Sequence, residues 1–250
     1  MPGAAAAGSR AGRRWIRLAF MTKTTSDSRT ALVIGANRGI GLALCRRLAA
    51  RGRRVIAGCR QSSPDLDAEV ARGVRVETGV EVTSDESVAR LARRLDGVEL
   101  DELICSAGIL RGGDLDDLDM DDVRAQLEVN ALGPLRVVRA LRGQLAHGAK
   151  IALITSRMGS IGDNGSGGSY GYRMSKAALN AAGMSLARDL AEARVAVAIL
   201  HPGYVRTEMT GGHGNVDAET AAASLVDRID ALTMATSGTF WHASGEILPW

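Results

Sequence analysis

The sequence has few aromatics, only three Trp, three Tyr and two Phe in 250 residues, so a ligand pocket in this chain cannot rest chiefly on aromatic stacking. It has three cysteines, Cys45, Cys59 and Cys105, an odd number without pairing or metal-ligand spacing. That argues against a disulfide framework or a metal centre and for a reducing, cytoplasmic setting. No apolar run approaches the ~20 residues that a membrane-spanning helix needs. Residues 1–23 hold no acid at all but Arg10, Arg13, Arg14, Arg17 and Lys23, so the remainder of a chain with formal charge +3 carries a net −2. Without that basic tail nothing points to a nucleic-acid surface. The one dense acidic cluster, Asp114 to Asp122, lacks the spacing of a calcium loop and reads as a solvated helix start favoured by the helix dipole.

Residues 1–28 read as an extension separate from the folded domain expected over 29–250. Pro2 to Ala11 is Ala/Gly-rich, and Arg13 to Phe20 is short, basic and apolar. The composition also suits a transit peptide or, through Trp15, Ile16, Leu18 and Phe20, a weak interfacial helix. The preferred expectation is a disordered extension, or a start-site artefact with translation beginning at Met21.

The fold begins at Thr30. Ala31 to Ile34 is an apolar run suited to a strand buried on both faces. Gly35-Ala36-Asn37-Arg38-Gly39-Ile40-Gly41 follows at once, and then Leu42, Ala43, Leu44, Leu48 and Ala49 recur at helical spacing. A strand, a glycine-rich turn and a helix in that order build a phosphate site, because free N–H groups at the helix start face the ligand. After the second apolar run, Val55 to Cys59, comes Arg60 and no acid. An acid there would hold the ribose of NAD; Arg38 and Arg60 instead suit the extra phosphate of NADP. NADP(H) is therefore the preferred cofactor, with NAD(H) as the alternative.

Further strands are expected at 74–77 with 80–82, at 102–105 ending in Ser106-Ala107-Gly108, at 150–155, at 195–200 and at 239–241. Helices are expected at 84–95, with a Thr83/Glu86 capping box, at 120–145, kinked at Gly133-Pro134, from Tyr172 onward, and at 218–229. Residues 208–215 are Gly-rich and read as a mobile lid. The alternation predicts a single α/β domain, a doubly wound Rossmann fold with a parallel sheet of about seven strands.

Tyr172-Arg173-Met174-Ser175-Lys176 opens the helix after a Gly/Ser loop. Positions i and i+4 share a helix face, so an ammonium is held near a phenol. A free tyrosine, pKa near ~10, is a poor acid or base at neutral pH, and a nearby cation favours its ionised form. Ser156 at the preceding strand end and Asn130 before it complete a candidate proton-transfer set.

The glycine loop, Asn130, Ser156, Tyr172-x-x-x-Lys176 and Pro202-Gly203 resemble, in order and spacing, the short-chain dehydrogenase/reductase family over about 30–250. The wording of the loop, of Ser156 to Ser160 and of Ile247 to Trp250 is similar to the carbonyl-reductase-like branch that includes C-factor-type proteins. The resemblance implies catalytic Asn130, Ser156, Tyr172 and Lys176. Tyr172 would be the acid/base, Lys176 would lower its pKa and hold the nicotinamide ribose, Ser156 would bond the substrate oxygen and Asn130 would support the proton relay. Implied cofactor contacts are Gly35, Asn37, Arg38, Gly39, Ile40, Gly41, Arg60, Glu81, Val82, Ser106, Ala107, Gly108, Tyr172, Lys176, Pro202, Gly203, Val205 and Thr207. Also implied are a small-molecule carbonyl or alcohol substrate and a homodimer or homotetramer. The chain departs from the pattern where Cys105-Ser106-Ala107-Gly108 replaces Asn-Asn-Ala-Gly and Glu81 replaces an Asp. Two rival functions stand beside hydride transfer: a dinucleotide-binding signalling protein, and a serine hydrolase pairing Ser156 with His147 or His201, for which Ser156 lacks a nucleophile elbow.

Overall fold

A computed structural model describes residues 28–250. The expected extension lies outside them except for Ser28. Seven parallel strands run β1 (Thr30–Ile34), β2 (Arg54–Gly58), β3 (Arg75–Glu77), β4 (Leu100–Cys105), β5 (Leu145–Ile154), β6 (Ala196–His201) and β7 (Phe240–His242), in the spatial order 3-2-1-4-5-6-7. Seven α-helices connect them: α1 (Gly39–Ala50), α2 (Pro64–Val70), α3 (Asp85–Arg94), α4 (Met120–Leu127), α5 (Gly133–Leu141), α6 (Tyr170–Asp189) and α7 (Ala218–Ala231).

The apolar run of β1 explains the layering. Ala31 and Val33 pack with Leu44 and Leu48 of α1 and Leu225 and Ile229 of α7. Leu32 and Ile34 point the other way, into a core with Val88 and Leu91 of α3, Val137 and Leu141 of α5 and Leu179 of α6. Side chains alternate across a strand, so a central strand feeding two cores must be apolar at every position. Each fully buried Leu or Ile contributes about 1.5–3 kcal/mol. The strand order reverses between β1 and β4, which opens a crevice at the carboxyl ends of these strands.

Several local readings need correction. The helix expected over 120–145 is interrupted by a turn of π-helix, Glu128–Leu132, and gives way to β5 at Leu145. Pro134 has no N–H for the carbonyl of Asn130, and the Gly133 N–H reaches back to the Glu128 carbonyl, five residues away. The third strand is Arg75–Glu77 alone, because Gly79 turns the chain at φ +69°. The cap of α3 is Ser84, whose hydroxyl accepts the Ser87 N–H; Thr83 instead bonds the Glu81 carboxylate through its N–H and hydroxyl. The 208–215 segment is stitched down. Thr207 and Thr210 cap a single 3₁₀ turn, Glu208–Thr210, and Arg206 N–H donates to the Val216 carbonyl at 2.8 Å.

Candidate active site

The glycine turn joins β1 to α1 under tight constraint. A Cβ on Gly35, at φ +87°, would stand 2.5 Å from the Ala107 nitrogen, and one on Gly41 would stand 2.0 Å from the Gly35 carbonyl oxygen. These glycines let the turn lie directly against the loop after β4. Helices α2, α3, α4 and α7 are each capped by a Ser or Asp side chain, whereas α1 has no side-chain cap at Arg38. Its first N–H groups are left to face the crevice, with the positive end of the helix dipole behind them.

A cavity of about 570 Å³ runs from Arg60 and Glu81, past this turn, to Tyr172. Every residue of the expected catalytic and cofactor-binding sets lines it except Asn130. The cavity wall also includes residues that sequence reasoning assigned no role there, Cys59, Thr155, Arg157, Asp163 and Arg173, and Glu208 from the segment read as a lid. Arg173 adjoins a named position, which is the one signal that pointed to it.

At the far end, Tyr172 and Lys176 rise from the first turns of α6, both buried. The Lys176 Nζ donates to the Ile154 carbonyl at 3.0 Å and lies 5.6 Å from the centre of the Tyr172 ring. Burial pushes the Tyr172 phenol up to about 12, and a side-chain hydrogen bond with Ser156 pulls it back in part. Burial likewise pulls the Lys176 ammonium down to about 8. The expected lowering of the tyrosine is therefore outweighed here by loss of solvation, which disfavours the charged form of each group. At neutral pH the phenol holds its proton.

Ser156 ends the β5 segment and caps the next turn by accepting the Met158 N–H at 3.1 Å. That turn is locked to α6. Thr155 donates to Asn180 Oδ1 at 2.7 Å, and a Cβ on Gly159 would come within 2.7 Å of the Lys176 backbone. Ser156 is thus held against the Tyr172 face by buried groups on either side of it.

Asn130 sits fully buried on the π turn, behind the cavity wall. Its Oδ1 accepts the Ile109 N–H at 2.8 Å, and its Nδ2 donates to the Ile109 carbonyl at 2.8 Å and to Ser175 Oγ at 2.9 Å. Ser175 in turn donates to the Tyr172 carbonyl at 2.8 Å. Both amide protons are used, so the side chain positions the loop after β4 against α6. His147 is exposed in the amino half of β5, at the other end of the sheet from Ser156. His201 is pushed down to about 3 by burial, then by His242, Arg157 and Lys176, and stays neutral.

The residues present suit a dinucleotide. The uncapped start of α1 offers N–H groups to phosphate. A Cβ on Gly108 would fill the space 3.7 Å from Lys176 Nζ and 3.9 Å from Met209 Cε, a gap kept open beside the lysine. Among the described residues no group of three or more His, Cys, Asp or Glu is placed to hold a metal ion, and no helix is long and apolar enough to cross a membrane.

A glycine-rich turn at the switch point of a parallel sheet, leading to a buried Ser, Tyr and Lys, is an arrangement suited to an oxidoreductase of the Rossmann class. The family model described as short chain dehydrogenase matches residues 29–216. A 1-hydroxy-2-glutathionyl-2-methyl-3-butene dehydrogenase from Rhodococcus sp. strain AD45 is 47% identical over 227 residues, covering 88% of this chain and 99% of that protein. The C-signal protein of Myxococcus xanthus is 42% identical over 138 residues, 54% of this chain and 83% of that one. The structure of an NADPH-bound carbonyl reductase from chicken fatty liver superposes with a TM-score of 0.82 at 29% identity, over 89% of this chain and 99% of that one. The chain belongs to the short-chain dehydrogenase/reductase family, a family of oxidoreductases.

Proposed function

We propose that the protein transfers a hydride between NADP(H) and a carbonyl/alcohol pair, with Tyr172 as general acid/base. The observation that carries this is the burial of Ser156, Tyr172 and Lys176 at one end of a cavity that runs on past the glycine turn. The nicotinamide supplies or accepts the hydride when bound. The chain's own residues do the rest. Tyr172, protonated at neutral pH, gives its proton to the oxygen of a carbonyl substrate and takes one back in the reverse direction. Ser156 donates to that oxygen as negative charge develops. Lys176, anchored on the Ile154 carbonyl, presents its remaining N–H groups to the cofactor ribose beside Gly108. The start of α1 holds the phosphates, and Arg38 and Arg60 favour the adenosine phosphate of NADP(H) over NAD(H). The NADPH bound by the similar chicken carbonyl reductase supports the same preference. Among carbonyl/alcohol pairs, the glutathionyl alcohols named for the Rhodococcus relative are the first to try.

Replacing Tyr172→Phe is expected to lower turnover by about 10³-fold while leaving the dissociation constant for NADPH, read by fluorescence titration, unchanged. Retained turnover rejects the role of Tyr172. The similarity to C-signal supports a second reading, a dinucleotide-binding signalling protein with little turnover. A panel of aldehydes, ketones, quinones and glutathionyl compounds separates the two: NADPH binding without oxidation on any of them favours the binder.

A further inference from the structure

Arginines are plentiful along the cavity, and most are already neutralised. Arg38 pairs with Glu208, Arg60 lies 3.6 Å from Glu81, and Arg157 lies 3.3 Å from Asp163 and 2.8 Å from Glu246. Arg173 differs. It is half-buried in the wall immediately after Tyr172, and its bonds go to neutral acceptors only: Nε donates to the Gly167 and Gly168 carbonyls at 3.2 and 3.1 Å, and Nη2 to Ser166 Oγ at 2.8 Å. Among the described residues it has no carboxylate partner, and the acids of the cavity wall, Glu81, Asp163 and Glu208, are paired with Arg60, Arg157 and Arg38. A guanidinium carries five donors in a rigid fork. The three bonds leave Nη1 and a second Nη2 proton unused, the edge that grips a carboxylate in bidentate fashion.

The placement is firm. Arg173 stands on α6, and a Cβ on Gly171 would come within 2.5 Å of Gln126 Nε2, so this end of α6 is packed hard on α4. The Ser166 to Gly168 loop is held to the guanidinium, and the Ser169 N–H donates to the Gly113 carbonyl at 3.1 Å. Leu110, Met158, Tyr204 and Met209 also line the cavity.

We infer that Arg173 anchors the carboxylate of an anionic arm on the substrate, so that the carbonyl or alcohol facing Tyr172 belongs to a carboxylate-bearing molecule such as a γ-glutamyl tripeptide thioether. This rests on the hydride-transfer function proposed above. The reaction centre sits at Tyr172 and Ser156, the thioether stem lies along Met158 and Met209, and the arm reaches the mouth where the Arg173 guanidinium has no carboxylate bonded to it.

Two ketones made from but-3-en-2-one test it, the glutathione adduct and the neutral 2-mercaptoethanol adduct, assayed by NADPH oxidation with the full chain. The wild type is expected to show kcat/KM about tenfold higher on the glutathione adduct. Arg173→Gln is expected to remove about tenfold there, mainly through KM, and less than about twofold on the neutral adduct, with Arg173→Lys recovering part. Equal loss on both ketones means that Arg173 only staples its loop, and overturns the anchor. Calorimetric titration of S-hexylglutathione into the NADPH complex reads the anchor without turnover. Binding about tenfold weaker in Arg173→Gln than in Arg173→Lys upholds it even if neither ketone is reduced, in which case hydride transfer is the reading that fails; binding equal in the wild type and both variants overturns it.

Discussion

Lys176 is buried, and its folded-state pKa of about 8 lies below the ordinary 10.5 because burial penalises the ammonium. A depressed pKa means that the folded state binds its proton less well than the unfolded chain. The penalty is complete below pH 8, shrinks as pH rises from 8 toward 10.5, and is gone above that range. At neutral pH it is worth about 3 kcal/mol. Lys176→Met removes it and leaves the Ile154 carbonyl without its donor, at a cost of about 1 kcal/mol. The variant is expected to be about 2 kcal/mol more stable in urea at pH 7 and inactive, and the difference from wild type should narrow as pH rises above 8. A Lys176→Met protein less stable than wild type would contradict the burial penalty. The spacing of Tyr172 and Lys176 in the sequence was enough to place them on one helix face. The direction of their titration was not legible, because it depends on the two cores and the loop after β4 that close over them. Arg173 was nearly as silent, since what marks it is that its bonds in the fold go to neutral acceptors.

At the scale of elements, the glycine turn and the switch point were readable because they depend on neighbours in sequence: a strand, a turn and an amphipathic helix. Contacts made across the fold were not. The Glu208–Thr210 turn illustrates this, since Gly-rich composition suggested mobility, yet Glu208 reaches over the crevice to pair with Arg38, 170 positions earlier. Pro134 was read as a kink, whereas the chain absorbs its missing N–H in a π turn that seats Asn130. The Glu208 contact bears on cofactor choice. Both partners are exposed, so the pair itself is weak. Its carboxylate nevertheless competes for the guanidinium assigned to the adenosine phosphate of NADP(H). Glu208→Gln is expected to tighten NADPH binding by about two- to fivefold and to leave NADH within about twofold, both read by fluorescence titration. Parallel changes for the two cofactors would place Arg38 away from the adenosine phosphate.

Across the whole molecule, the alternation of apolar runs with helical spacing sufficed for a single doubly wound sheet, and strand edges were missed by a few residues where turns and bulges decide them. What the pattern hid is a buried charge cluster at the amino end of the sheet, opposite the active site. Glu102 of β4 is 1% exposed, bonded at 2.8 Å by Arg53 ahead of β2, and approached at 3.7 Å by Arg29. Arg53 also pairs with Asp230 near the end of α7, so one guanidinium ties the central strands to the last helix. Burial raises the Glu102 pKa, and Arg53 offsets part of the rise. A carboxylate with a raised pKa favours folding at acidic pH, and that contribution is lost as pH climbs through the folded-state value. Arg53→Met removes the main offset and strands a buried charge, so it is expected to cost about 3 kcal/mol at neutral pH. The loss should shrink as pH falls, because without Arg53 burial raises the Glu102 pKa further and the carboxyl takes up its proton more readily, whereas an effect of lost packing would not change with pH. The double variant Arg53→Met/Glu102→Leu, with no buried charge left to strand, should recover most of the stability at pH 7 and lose the pH dependence. Urea midpoints of wild type, single and double variants at about pH 5 and pH 7 decide it, and a single variant equally destabilised at both would show that the cluster acts through packing alone.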